Sequence, residues 1–211
     1  MIMSTKQMFR ITLHLVLLAI AVSIFTGHLY AAAPTFTFGE QEIIETLFSQ
    51  RTVKRPLHVV EDTTSVRSLQ GRDTYEVFAM KLRKQAKPYN TAFNEALDDF
   101  IQKNKAAVEI VFPTNAPKGV LLVTSNITDQ IFSVSHGAKP DGWNLFYQRF
   151  PNSSGLITIS RVGMDSKGTV AIVYLGQQSG YRSGFGSIRI LRKGVHMWLL
   201  TDESFGPEWV S

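Results

Sequence analysis

The chain has 211 residues, of which 44% are apolar, 11% aromatic and 18% charged, and it contains no cysteine. That composition excludes a disordered, collagen-like or repeat protein. The missing thiols exclude disulfides, thiol chemistry, zinc–thiolate sites and a cysteine-borne lipid anchor, so stability must come from an apolar core.

Residues 1–10 carry Lys6 and Arg10 and no acid, and lead into the apolar run Ile11–Phe25. This is the layout of a secretory signal peptide, with Ala31, Ala32 and Ala33 as the small residues near a cleavage point. The reading is a leader over 1–33 followed by a single domain over 34–211. Retention of the leader as a membrane anchor is the alternative, since residues 11–33 are long enough to cross a bilayer. With the leader removed, no membrane span is expected, and the protein is expected in a bacterial periplasm or outside the cell, where a disulfide-free exported domain is readily placed.

The net charge of +5 is distributed unevenly. Most of the basic excess lies between Arg51 and Lys87, without an aromatic platform or any nucleic-acid motif, so it reads as solvated surface and no nucleic-acid partner is expected.

Downstream, residues 39–48 place Ile43, Ile44, Leu47 and Phe48 on one helical face, with the acids Glu40, Glu42 and Glu45 elsewhere. Residues 56–60 read as a short strand. Asp73-Thr-Tyr-Glu76 has the form of a capping box opening a helix that stops before Pro88. Residues 90–104 carry an apolar stripe of Phe93, Ala96, Leu97, Phe100 and Ile101 behind an Asn90 cap. Asp98 and Asp99, about 100° apart on this helix, diverge and form no acid–base pair.

Beyond Val108 the pattern changes to strands, expected at 108–112, 119–124, 130–134, 143–150, 156–162, 169–175, 188–191 and 195–200. Helices followed by strands give the α+β class, with the helices on one face of a curved antiparallel sheet, similar to a cystatin-like or nuclear-transport-factor-like cone.

Candidate chemistry is sparse. Ser135-His136 adjacency is not a catalytic pair, and no Gly-x-Ser-x-Gly elbow occurs. A hydrolase using Ser160 or His136 with Asp165 or Asp141 is the alternative function. His58, His136 and His196 lack ligand spacing, and Asp165 reads as a turn residue, so neither metal nor cofactor is expected. Residues 176–186 form a glycine-rich loop in which Gly184 and Gly186 admit close approach and Gln177, Gln178, Tyr181 and Arg182 offer polar and stacking contacts. No Gly-Lys-Ser/Thr ending follows, so it is not a phosphate loop. The preferred reading of these glycines is that they turn a wide hairpin and permit a bulge, with binding the competing one. Asn126-Ile-Thr128 and Asn152-Ser-Ser154 match the glycosylation pattern.

The segments Trp143–Gly155, Ser160-Arg-Val-Gly163, Ala171-Ile-Val-Tyr174, the glycine-rich stretch and the terminal Trp209-Val-Ser211 resemble a group of exported bacterial proteins of unknown function. That group has a Tyr-Pro-x-Ser-x-Gly stretch before Ser-Arg-Val-Gly, a glycine-punctuated hairpin and a final tryptophan; here Phe150 replaces the tyrosine. The resemblance implies export and a shared fold, and no mechanism. Within it Arg161 stands out, because an arginine among apolar neighbours needs an internal acid or a bound anion. The leading expectation is an exported, non-enzymatic domain that binds a protein or small ligand of the cell envelope through Arg161 and the 176–186 stretch. An inhibitor or immunity-type protein partner is a further alternative.

Overall fold

In the computed structural model the described residues are 35–49, 57–86, 89–133 and 140–210, apart from the side chains of residues 68, 69, 204 and 207. The chain divides into two units, Met1–Ala33 and Pro34–Ser211, and everything below concerns the second. The expected leader and the Ser135-His136 pair lie outside the described residues.

The elements run α1 (Phe38–Ser49), β1 (Leu57–Glu61), α2 (Arg67–Gln70), α3 (Tyr75–Gln85), α4 (Thr91–Lys103), β2 (Val120–Val123), α5 (Ser125–Phe132), α6 (Gly142–Arg149), β3 (Ser153–Ile159), β4 (Gly163–Met164), β5 (Val170–Gly180), β6 (Ser183–Lys193) and β7 (Trp198–Val210). The strands form one open sheet in the order β2-β1-β3-β5-β6-β7, with β4 also paired to β5. The class is α+β. The sheet is mixed: β3 to β7 pair antiparallel, whereas β1 lies parallel to both β2 and β3.

Alternation along β5 divides the core. Val170, Ile172 and Tyr174 point to the side covered by α3 and α4, where Phe78, Leu82, Phe93, Leu97 and Phe100 are buried. Ala171, Val173 and Leu175 point to the other side, against Ile43, Ile44, Leu47 and Phe48 of α1. Helices therefore cover both faces, not one. A third cluster seats Trp143 and Phe146 of α6 and Ile131 of α5 on Val59 and Val123. The β1–β3 register aligns Val59 with Leu156, and β3–β5 pairing aligns Leu156 with Gln178. Both residues thus share the face of Tyr174, and the pairs α3/α4 and α5/α6 sit on the same side, over opposite halves of the sheet.

Two expected strands are helices. Residues 130–132 belong to α5, and 143–149 form α6, opened by the Asp141 carboxylate accepting from Asn144 N at 2.9 Å. Their aromatic and β-branched content reads as strand, but Trp143, Phe146 and Phe150 recur at helical spacing, and Phe146 meets Trp143 edge-on and Phe150 at a tilt. Residues 108–112 contribute only an isolated bridge, Thr63 to Glu109. The α3 cap is Thr74, whose hydroxyl accepts from Val77 N, while Asp73 pairs with Lys81. Asn90 caps α4 as expected.

Candidate functional site

The most informative segment is Ser160-Arg-Val-Gly163, where the chain leaves β3 and turns into β4. Ser160 is fully buried; its hydroxyl donates to Arg161 O and accepts from Tyr174 N at 2.9 Å, which ties the bend to β5. The Asn104 amide grips the Arg161 backbone on both sides, accepting from its N at 2.8 Å and donating to its O at 3.0 Å. At Gly163 a Cβ would stand 2.3 Å from both Ala96 O and Phe100 N, so glycine is what lets α4 lie directly on the strand.

The Arg161 side chain finds its internal acid. Its Nε and Nη2 donate to the two carboxylate oxygens of Glu40 at 2.7 and 2.8 Å, with Arg161 6% and Glu40 0% exposed. Glu40 also accepts from Thr37 N and Val162 N, and Thr37 Oγ1 accepts from Glu40 N. Thr37-x-x-Glu40 is a capping box that opens α1. It was legible in the sequence, but the helical wheel read Glu40 as a solvent-facing acid. Burial pushes the Glu40 carboxyl up, and the Arg161 and Thr37 hydrogen bonds with the charge of Lys103 outweigh it, so the net shift is downward. Arg161 is consequently engaged inside the protein by Glu40.

The 176–186 stretch is not a loop. β5 and β6 continue through it in register to a two-residue turn at Tyr181-Arg182, with a bulge between Gln178 and Gly180. Arg182 sits exposed at that tip. Gly176 pairs with Gly186, and Gly186 with Trp209. A Cβ at Gly186 would lie 2.1 Å from Trp209 Nε1 and one at Gly176 2.3 Å from Tyr174 Oη. The glycines make room for these two rings, joined by Trp209 Nε1 donating to Tyr174 Oη at 3.0 Å. The reading of these glycines as a hairpin with a bulge is therefore borne out, although the strands run further into the stretch than expected; glycine is rare inside strands except where something approaches closely.

One row of residues therefore crosses the sheet from β1 to β7. Glu61 accepts from Thr158 Oγ1 at 2.9 Å, Thr158 pairs with Gly176, Gly176 with Gly186, and Gly186 with Trp209. Glu61, Thr158, Gly176 and Trp209 of this row line an open groove of about 590 Å³. Gln177, Gln178 and Tyr181 border it, and so do Ser65 and Arg67 from the chain leaving β1. Gln177 Nε2 also donates to Ser154 O. Arg161, Arg182, Gly184 and Gly186 are not among its walls. Burial raises the Glu61 carboxyl above the usual carboxylate range; the charges of Asp62 and Asp129 add to the rise and the Thr158 hydrogen bond opposes it. A carboxyl raised by burial and lining a cleft is a recurrent property of functional sites. Sequence reasoning missed Glu61, Thr158 and Arg67, because only the parallel pairing of β1 with β3 carries Glu61 to the glycine row.

Of the residues of the hydrolase alternative, His136 lies outside the described residues, and Ser160, Asp165 and Asp141 are each engaged in separate structural roles. Ser160 is sealed under the sheet. Asp165 accepts from Lys167 N, Thr169 N, Val170 N and Thr169 Oγ1 as the keystone of its turn; burial raises its carboxyl, and these bonds more than reverse the effect. Asp141 caps α6. Among the described residues no group of three His, Cys, Asp or Glu side chains is placed to hold a metal, and no helix is long and apolar enough to cross a membrane. No family model, curated protein or solved structure matches the chain.

Proposed function

We propose that the protein is a non-enzymatic binding domain of the bacterial cell envelope whose ligand occupies the groove above the Glu61–Thr158–Gly176 row. The observation that carries this reading is the groove itself, a polar and aromatic trough of ligand size on the sheet. Its walls offer a carboxyl, a guanidinium, two amides and three aromatic rings, the set that fixes the orientation of a polar molecule. Location in the envelope rests on the leader-like residues 1–33 and is tested by the mass of the mature chain recovered from a bacterial host.

The groove is tested with isotope-labelled full chain titrated against a library of small polar molecules. Shifts confined to the amides of Thr158, Gly176, Gln178 and Tyr181 and the Trp209 indole support the reading. Saturable binding that moves residues elsewhere and leaves these unshifted overturns it.

A further inference from the structure

Two opposite charges border the groove without neutralising each other. Glu61 receives a hydrogen bond from Thr158, and among the described residues neither Glu61 nor Arg67 takes part in an ion pair. Elsewhere the protein pairs its charges: Arg161 with Glu40, Lys103 with Asp99, Lys81 with Asp73 and Arg192 with Glu203. We propose that the groove binds a short peptide with free ends, its ammonium group against Glu61 and its terminal carboxylate against Arg67.

The inference rests on the binding reading above and specifies the ligand class. Glu61 is the cation-seeking wall. Asp62, beside it after β1, and Asp129, on α5, add negative potential, and Thr158 holds the carboxylate in place. The raised carboxyl of Glu61 is what an acid without a cationic partner displays, and an ammonium group would supply that partner. Arg67 stands on α2, after the chain has crossed the end of β3 through Ser65 N donating to Ile159 O at 2.9 Å. Its fork matches a carboxylate bidentately. In the same lining, the Gln178 amide and the Ser65 hydroxyl suit peptide groups, and the Tyr181 and Trp209 rings suit apolar side chains. A volume of about 590 Å³ exceeds the need of a single amino acid and fits a peptide of a few residues.

The test titrates the full chain with trialanine, N-acetyl-trialanine and trialanine amide, by calorimetry and by the groove resonances. The expected result is that blocking either end weakens binding about tenfold or more, as loss of a charge-assisted bond requires. E61Q should erase the difference made by acetylation and R67Q the difference made by amidation. Equal binding of all three peptides at the groove overturns the peptide-end assignment and leaves the groove reading standing. Failure of trialanine to bind at millimolar concentration, while another molecule shifts the groove resonances, does the same. Shifts confined to another surface overturn both. The three peptides discriminate on the unmodified protein, so the assignment stays testable if a variant fails to fold.

Discussion

Arg161 and Glu40, 121 residues apart, face each other through two hydrogen bonds in the interior, where Phe36 also lies beneath the guanidinium at 5.5 Å. The pair joins the first turn of α1 to the bend between β3 and β4, so the N-terminal helix is locked to the sheet by charge as well as by its apolar face. Removing one partner leaves the other charge buried and alone. E40Q should destabilise the domain by about 3–5 kcal/mol in chemical denaturation, whereas the double variant E40L/R161M should lose much less. Equal losses in the two would show that the pair acts only through packing.

The same pair sets a pH dependence. The folded-state carboxyl of Glu40 lies below its ordinary value, so its contribution is complete above the ordinary carboxylate range and is lost as pH falls through the lowered one. Glu61 has the opposite sign. Its raised carboxyl favours the folded state most below the ordinary carboxylate range, and that advantage disappears as pH rises through the raised value. E61Q should therefore gain stability relative to the unmodified protein as pH rises from 4 to 7, measured by denaturation midpoints. A difference that stays constant over that window would place Glu61 in a solvated setting.

Trp209 and Gly186 are expected to be coupled. G186A places a methyl group against the Trp209 indole and should cost about 1–3 kcal/mol through overpacking. In a W209A background the same change should cost clearly less, because the space is vacated. G163A meets the backbone of α4, which cannot retreat as a side chain can, and should reach the upper end of that range or exceed it.

The α3 cap provides a sharp contrast between neighbours. T74A should cost about 1 kcal/mol by removing the acceptor for Val77 N. D73A loses only a surface ion pair with Lys81, worth about 0–1 kcal/mol. The reverse order would restore the capping box expected at Asp73. N90A should match T74A, since Asn90 Oδ1 accepts from Phe93 N at 2.9 Å.

What the amino-acid order determined by itself is local. The stripe of Phe93, Ala96, Leu97, Phe100 and Ile101 marks α4, the Asn90 cap marks its start, and the β-branched runs of β5 and β6 mark the sheet, because each signal is decided by neighbours within a turn or a strand. The α+β class follows from their order. The segments 125–132 and 142–149 misled because their aromatic residues suit either state, and the choice was made by burial against Val59 and Val123. Only the tertiary structure could decide that Arg161 meets Glu40 and not a ligand, since nothing local relates residues 121 positions apart. Only the parallel addition of β1 beside β3 could place Glu61 in line with Thr158, Gly176 and Trp209. The glycines, visible from the outset, make room for two rings whose approach depends on strand register, and the groove above them is a property of the assembled sheet.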